Sequence, residues 1–159
     1  MSAVTEVLRR FSRERWLATV VKALTPADRA LQARTTGRAS LTGALGMPAM
    51  LLTTTGCRSG QPRTVPLTYS RHDGGLVVVG SNFGQAHHPA WSSNLLADPT
   101  ARVTVRGAEW PVRARLLSET EKAGVWPELL RLWPSYDAYQ DRSGRNLRVF
   151  LLTPGVPTR

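Results

Sequence analysis

The sequence predicts an α+β domain: a mostly antiparallel β-barrel of about six strands with appended helices. Three observations carry this. Residues 1 to about 40 keep apolar positions at helical spacing, and from Pro48 onward the texture changes to short runs rich in β-branched residues, broken by glycine, proline and aspartate. The order of the later elements completes the argument. Six strands, one helix between the third and fourth, and a helical pair before the last do not make the regular alternation of a doubly wound parallel sheet.

Taken in order, Val4, Val7, Leu8 and Phe11 share one helical face, whereas Leu17, Val20, Val21 and Leu24 share another rotated away from it, which implies a break near Ser12. Thr25-Pro26-Ala27-Asp28 supplies an N-cap, a proline in the first turn and an acid beside it, and Gly37 marks a stop. Strands are expected near 48–54, 64–70, 75–81, 101–106, 109–117 and 147–153. Asp73-Gly74-Gly75 offers the positive φ angles of a tight hairpin. A short helix over Ala90 to Ala97 is led by Pro89 and closed by Asp98-Pro99. Ser118-Glu119-Thr120-Glu121 is a capping box that opens a helix to about Leu132, and Pro134-Ser135 restarts another to about Arg142. The organisation is thus a helical segment, 1–40, expected on or near the barrel mouth, and the barrel, 41–159.

A length of 159 residues, 42% hydrophobic and 20% charged, suits one domain with a core of its own. The single cysteine, Cys57, excludes an internal disulfide, and arginines at 9, 10, 13 and 15 stand where a signal peptide needs an apolar segment, so a cytoplasmic location is expected. No apolar run approaches the roughly 18 residues of a membrane span. The formal charge of +10, nearly all of it arginine, calls for an anionic partner, whether nucleic acid, anionic lipid or a phosphorylated cofactor. The usual motifs of nucleic-acid binding are absent, so no nucleic-acid partner is expected, and a nucleic-acid-binding module stands only as a rival reading of the charge.

Three patches can carry chemistry. Between two strands, Thr53-Thr54-Thr55-Gly56-Cys57-Arg58-Ser59-Gly60-Gln61-Pro62-Arg63 forms a glycine-bracketed loop with two arginines and a serine hydroxyl, suited to an anion, although a plain basic turn reads the same way. The spacing is not that of a Walker loop. In Ser81 to Leu95, Trp91 and Asn94 share a helical face and would offer an aromatic plane beside an amide, or pack and cap. His87 and His88 lack a third ligand at metal spacing, so no metal is expected. Tyr136 and Tyr139 lie one helical turn apart, as proton donors and pocket walls or as packing residues.

In order and spacing these patches resemble the deazaflavin-dependent nitroreductase family, the branch of the flavin and deazaflavin oxidoreductases that uses coenzyme F-420. The likeness runs from about residue 45 to 154, through Leu51 to Gly56, Ser59 to Arg63, Pro66-Leu67, Ser81-Asn82 with Gly84, His88 to Trp91, Asn94-Leu95, and Pro134-Ser135-Tyr136 with Tyr139. It implies a split β-barrel related to the barrels that bind flavin mononucleotide (FMN). The coenzyme's phosphate and acidic tail would be held at Arg58, Ser59, Gly60 and Arg63, and its remainder at Pro66, Asn82, Trp91 and Asn94. Ser81, Tyr136 and Tyr139 would surround the substrate and the reactive ring face. Cys57 stands where the family usually has a basic residue, Thr68 and Trp133 where well-known nitroreductases carry tyrosines, and Phe83 replaces a small residue.

The implied reaction is hydride transfer from reduced deazaflavin to a small organic acceptor, a quinone, an enone or a nitro compound, by a monomer or homodimer. Its rivals are an FMN enzyme on the same barrel and a protein that binds the deazaflavin without turnover. For the arginine-dense N-terminal helices, packing across the barrel mouth is expected ahead of peripheral contact with an anionic membrane.

Overall fold

A computed structural model describes residues 46–155 and, before them, Pro26, Ala27, Ala30 and Arg34, all four helical. The expected placement of the 1–40 segment at the barrel mouth lies outside the described residues. Seven strands follow: β1 (Ala49–Thr55), β2 (Pro62–Thr68), β3 (Ser70–His72), β4 (Gly75–Val79), β5 (Thr100–Val105), β6 (Ala108–Leu116) and β7 (Val149–Pro154). Helix α1 (Ala90–Ala97) separates β4 from β5, and α2 (Glu119–Leu132) and α3 (Tyr136–Ser143) separate β6 from β7. No described helix is long and apolar enough to cross a membrane.

All the strands join one sheet in the order β2-β1-β5-β6-β7-β4-β3, and every ladder is antiparallel. Strands β2 and β3 occupy opposite edges of that order, yet Tyr69 alone separates them in the chain. The sheet therefore curls until its edges meet at this residue, giving the split barrel. At the corner the Tyr69 N–H donates to the Pro48 carbonyl (3.2 Å) and its side chain is buried in the barrel interior. One strand was expected over 64–70; the corner divides it, which makes seven strands where six were counted.

Local signals hold elsewhere. The β3–β4 hairpin turns through Asp73 (φ 47°) and Gly74 (φ 72°), the positive φ pair that matches the twist of the flanking strands. At the head of α2 the Ser118 hydroxyl accepts from the Glu121 N–H (3.2 Å), and the Glu121 carboxylate accepts from the Ser118 N–H (2.9 Å). Helix α3 stops at Gly144, whose φ of 63° is left-handed.

Two cores share the β4–β7 pair. Leu76, Val78, Phe150 and Leu152 face the barrel interior with Met50, Leu52 and Val103, whereas Val77, Val79, Val149 and Leu151 face α2 and α3 with Leu129 and Leu147. Strands covered on both faces read as unbroken apolar runs, as Leu76 to Val79 and Val149 to Leu152 do. Helices α2 and α3 are joined by Lys122, a buried amine that donates to Gln140 Oε1 (3.0 Å) and Asn146 Oδ1 and lies over the Trp126 ring at 5.0 Å.

The tightest backbone approach in this packing is at Gly75, where an added Cβ would lie 2.6 Å from the Leu152 carbonyl oxygen and 2.9 Å from the Leu151 side chain. Gly75→Ala is expected to lower stability by about 1–3 kcal/mol through overpacking between β4 and β7, read by urea unfolding. Wild-type stability in this variant would mean that the two strands separate more easily than their burial implies.

Candidate active site

Between β2, the segment leaving β4, and the starts of α1 and α3 lies a cavity of about 360 Å³, within the range of small-ligand sites. Its walls are mainly apolar and aromatic, with Pro66, Phe83, Trp91 and Trp133 among them, and Thr68, Ser81, Asn82, Tyr136 and Tyr139 add polar groups. Six of the residues expected at the site thus meet in one place: Pro66, Ser81, Asn82, Trp91, Tyr136 and Tyr139. Trp91 is held there by burial against Phe150, with ring centres 5.8 Å apart.

The wall formed by residues 81–84 is strained. Asn82 (φ 44°), Phe83 (φ 52°) and Gly84 (φ 73°) are successive left-handed residues, and such a φ is a true outlier for phenylalanine. External donors satisfy this segment. Arg142 Nη2 donates to the Phe83 carbonyl (2.8 Å), and Arg145 donates to the carbonyls of Gln85 (2.9 Å) and Ser81 (2.9 Å). Asn82 Nδ2 donates to the His87 carbonyl (3.0 Å). Gly84 is needed because an added Cβ would lie 2.9 Å from the Arg142 guanidinium and 3.1 Å from Tyr139 Cα. Arg142 and Arg145 went unnoticed in the sequence, since nothing in their spacing ties them to carbonyls some 60 positions earlier.

The two phenols differ. Tyr136 is buried, its hydroxyl 3.4 Å from Thr68 Oγ1, and burial pushes its pKa up to about 12 against that hydrogen bond. It therefore keeps its proton across the neutral range. Tyr139 packs edge-on to Phe83 and Tyr136, with the Arg142 guanidinium 5.3 Å over its ring. Its hydroxyl is buried, and burial raises its pKa against opposing side-chain contacts from Trp133 and Ser135.

Burial, then Arg148 and Arg145, lower the pKa of His88. Its Nδ1 lies 2.8 Å from Arg145 Nη1, so the ring accepts there and is committed to the protein. No cluster of potential metal ligands occurs among the described residues.

The glycine-bracketed loop folds tightly but differently from a nest of converging N–H groups. The N–H groups of Gly56, Gly60 and Gln61 bond within the loop, to Gln61 O (2.8 Å), Gly56 O (2.7 Å) and Ser59 Oγ (3.3 Å). The Cys57 N–H donates to Asn94 Oδ1 (3.0 Å), and Asn94 Nδ2 donates to Thr54 Oγ1 (3.0 Å). Asn94 is thus buried and ties α1 to the loop; it does not line the cavity beside Trp91. Arg58, Ser59, Gly60 and Arg63 also lie outside the cavity lining, exposed, with Arg63 donating to Ser59 Oγ (3.4 Å). Strand β2 links the two places: Arg63 is three residues, about 10 Å, from Pro66 and about 16 Å from Thr68.

The F420H(2)-dependent quinone reductase family model matches residues 14–154. An F420H(2)-dependent quinone reductase of Mycobacterium tuberculosis is 33% identical over 114 residues, 67% of this chain and 73% of that protein. A second protein of the same organism, named for the same activity, is 32% identical over 108 residues, 68% of this chain and 91% of its own length. Among solved structures, an F420-H2 dependent reductase (FDR-A) is 35% identical and superposes with a TM-score of 0.60, covering 66% of this chain and 93% of that one. A chain described as a domain-swapped dimer is 32% identical with a TM-score of 0.61, covering 80% and 98%.

The raised pKa of Tyr136 makes stability depend on alkaline pH. The unfolded phenol ionises near 10.0 and the folded one near 12, so burial of the neutral ring stabilises fully below pH 10, and this contribution is lost as pH rises towards 12. About 2–3 kcal/mol is at stake, from a two-unit shift. Urea unfolding between pH 8 and 11.5 should show a shallower loss in Tyr136→Phe than in the wild type; parallel curves would contradict the assignment.

Proposed function

The chain belongs to the F420H(2)-dependent quinone reductase family, and from that premise we propose that its cavity holds the ring of coenzyme F-420 while the Arg58–Arg63 loop holds the coenzyme's anionic tail. The observation that carries this reading is the arrangement along β2: an apolar, aromatic cavity at one end and, about 10 Å beyond Pro66, the exposed Arg63 at the other, where the loop holding Arg58 joins the strand. A long cofactor with a planar head and a phosphate tail matches both. The phenols of Tyr136 and Tyr139 in the lining suit a ring that carries carbonyl groups.

When bound, the coenzyme supplies a hydride to an activated double bond. The protein's contribution is orientation and charge. Arg58 and Arg63 attract phosphate through charge-assisted hydrogen bonds, and Pro66, Trp91 and the strained Asn82 segment fix where the ring lies. Phe83, Trp133 and Trp91 exclude water from the reacting face. Tyr136 keeps a proton at Oη and donates it as a hydrogen bond to an acceptor oxygen that gains negative charge, with Ser81 and Tyr139 as neighbouring donors. Asn94 acts through the loop it anchors. The acceptor is a small carbonyl compound of the quinone or enone kind, flat enough for a cavity of about 360 Å³.

FMN is the lesser reading, since three relatives above 30% identity carry F420 in their names. Purified protein is expected to be colourless and to quench the fluorescence of added F-420; a yellow preparation that releases flavin would favour FMN. Arg63→Ala should weaken F-420 binding by about 1.5–3 kcal/mol, roughly ten- to a hundredfold. Tyr136→Phe should leave binding nearly intact and slow quinone reduction by about ten- to a hundredfold. Unchanged constants in both variants would remove these site assignments.

A further inference from the structure

We propose that Arg145 is a positioning residue for this cavity: one guanidinium holds residues 80–88 in the left-handed shape that sets Ser81, Asn82 and Phe83 in the wall. It rests on the reading that this cavity receives the coenzyme ring.

The geometry is specific. Arg145, partly buried after α3, reaches four acceptors on the one segment: the carbonyls of Gly80 (3.4 Å), Ser81 (2.9 Å) and Gln85 (2.9 Å), and His88 Nδ1 (2.8 Å). These acceptors bracket the strained residues on both sides. Within the segment itself only two short-range backbone bonds hold the turn, Gly84 N–H to Ser81 O (2.9 Å) and Gln85 N–H to Asn82 O (3.0 Å). The Ser81 side chain gives no cap. Left-handed φ at Asn82 and Phe83 is unfavourable in isolation and persists only where surrounding contacts over-determine it.

Arginine suits the task because its planar fork presents five donors in fixed directions, whereas a lysine ammonium is a point charge on a flexible stem. His88 completes the set as an acceptor, its ring kept neutral by burial and by the nearby cations. Releasing the guanidinium lets the segment relax towards right-handed φ, which withdraws Asn82 from the His87 carbonyl and Phe83 from Tyr139. The wall changes shape although Arg145 does not line the cavity.

The test compares Arg145→Lys with Ser118→Ala, which destabilises the protein at the α2 cap, away from the cavity. Hydrogen–deuterium exchange without coenzyme should speed up about tenfold at the Gly84 and Gln85 amides in Arg145→Lys, and F-420 should bind about tenfold more weakly. Neither change is expected in Ser118→Ala. Wild-type exchange at those amides, or an equal loss of affinity in Ser118→Ala, overturns the proposal. Should Arg145→Lys not fold, nitrogen NMR of the wild-type His88 ring decides: an Nε2–H tautomer at neutral pH supports the contact, and an Nδ1–H tautomer overturns it. Failure of the wild type to bind F-420 would sink the functional reading alone, because the exchange and tautomer results still decide whether Arg145 holds the loop.

Discussion

The pairing of β4 with β7 is the constraint on which the rest of this structure depends. Both strands are covered on two sides, by the barrel interior and by α2 with α3. A strand in that position cannot tolerate a slip in register, since one residue of shift would exchange the side chains of two different cores. The cavity begins where this pair ends. Val79 is both the last residue of β4 and part of the cavity lining, so the segment from Ser81 onward leaves this doubly covered strand pair directly into the wall.

From that point the cavity is assembled by residues outside its lining as well as by those within it. Arg142 and Arg145 bond to carbonyls, and Asn94 bonds across from α1 to β1 and to the loop after it. The titratable groups in and behind the wall sit in surroundings that keep them neutral. Tyr136 has its pKa pushed up to about 12 and His88 has its pKa lowered, both chiefly by burial. Arg142 and Arg145 spend their guanidinium donors on backbone carbonyls behind the wall, whereas Arg58 and Arg63 are exposed on the loop at the start of β2. On the proposed reading, the cavity takes the planar head of the cofactor and the exposed loop its anionic tail.

Much of this was legible from the sequence wherever the cause was local. The capping box at Ser118, the Asp73-Gly74 turn and the bounds of the helix over Ala90 to Ala97 follow from interactions within a few residues, and the structure reproduces them. The order and spacing of the motifs also led to the family. What escaped notice depends on contacts between distant positions. Nothing near Tyr69 marks it as the corner where two sheet edges meet, because the corner exists only once β1, β5, β6, β7 and β4 lie between those edges. Asn94 shares a helical face with Trp91, as its spacing says, but which partner an amide takes is decided by the strand that packs against it. Arg145 looked like one more cation in an arginine-rich chain.

The sheet order bears on how the chain acquires its shape during synthesis. Strand β4 leaves the ribosome some 70 residues before β7, the neighbour that it must pair with, and all five of its residues end up hidden from water. For that interval it is an apolar ribbon with only the short β3 hairpin beside it, so the nascent protein passes through a stage at which sticky surface is uncovered. Release from this stage comes only with the C-terminal strand, and truncation before it would leave a species prone to self-association.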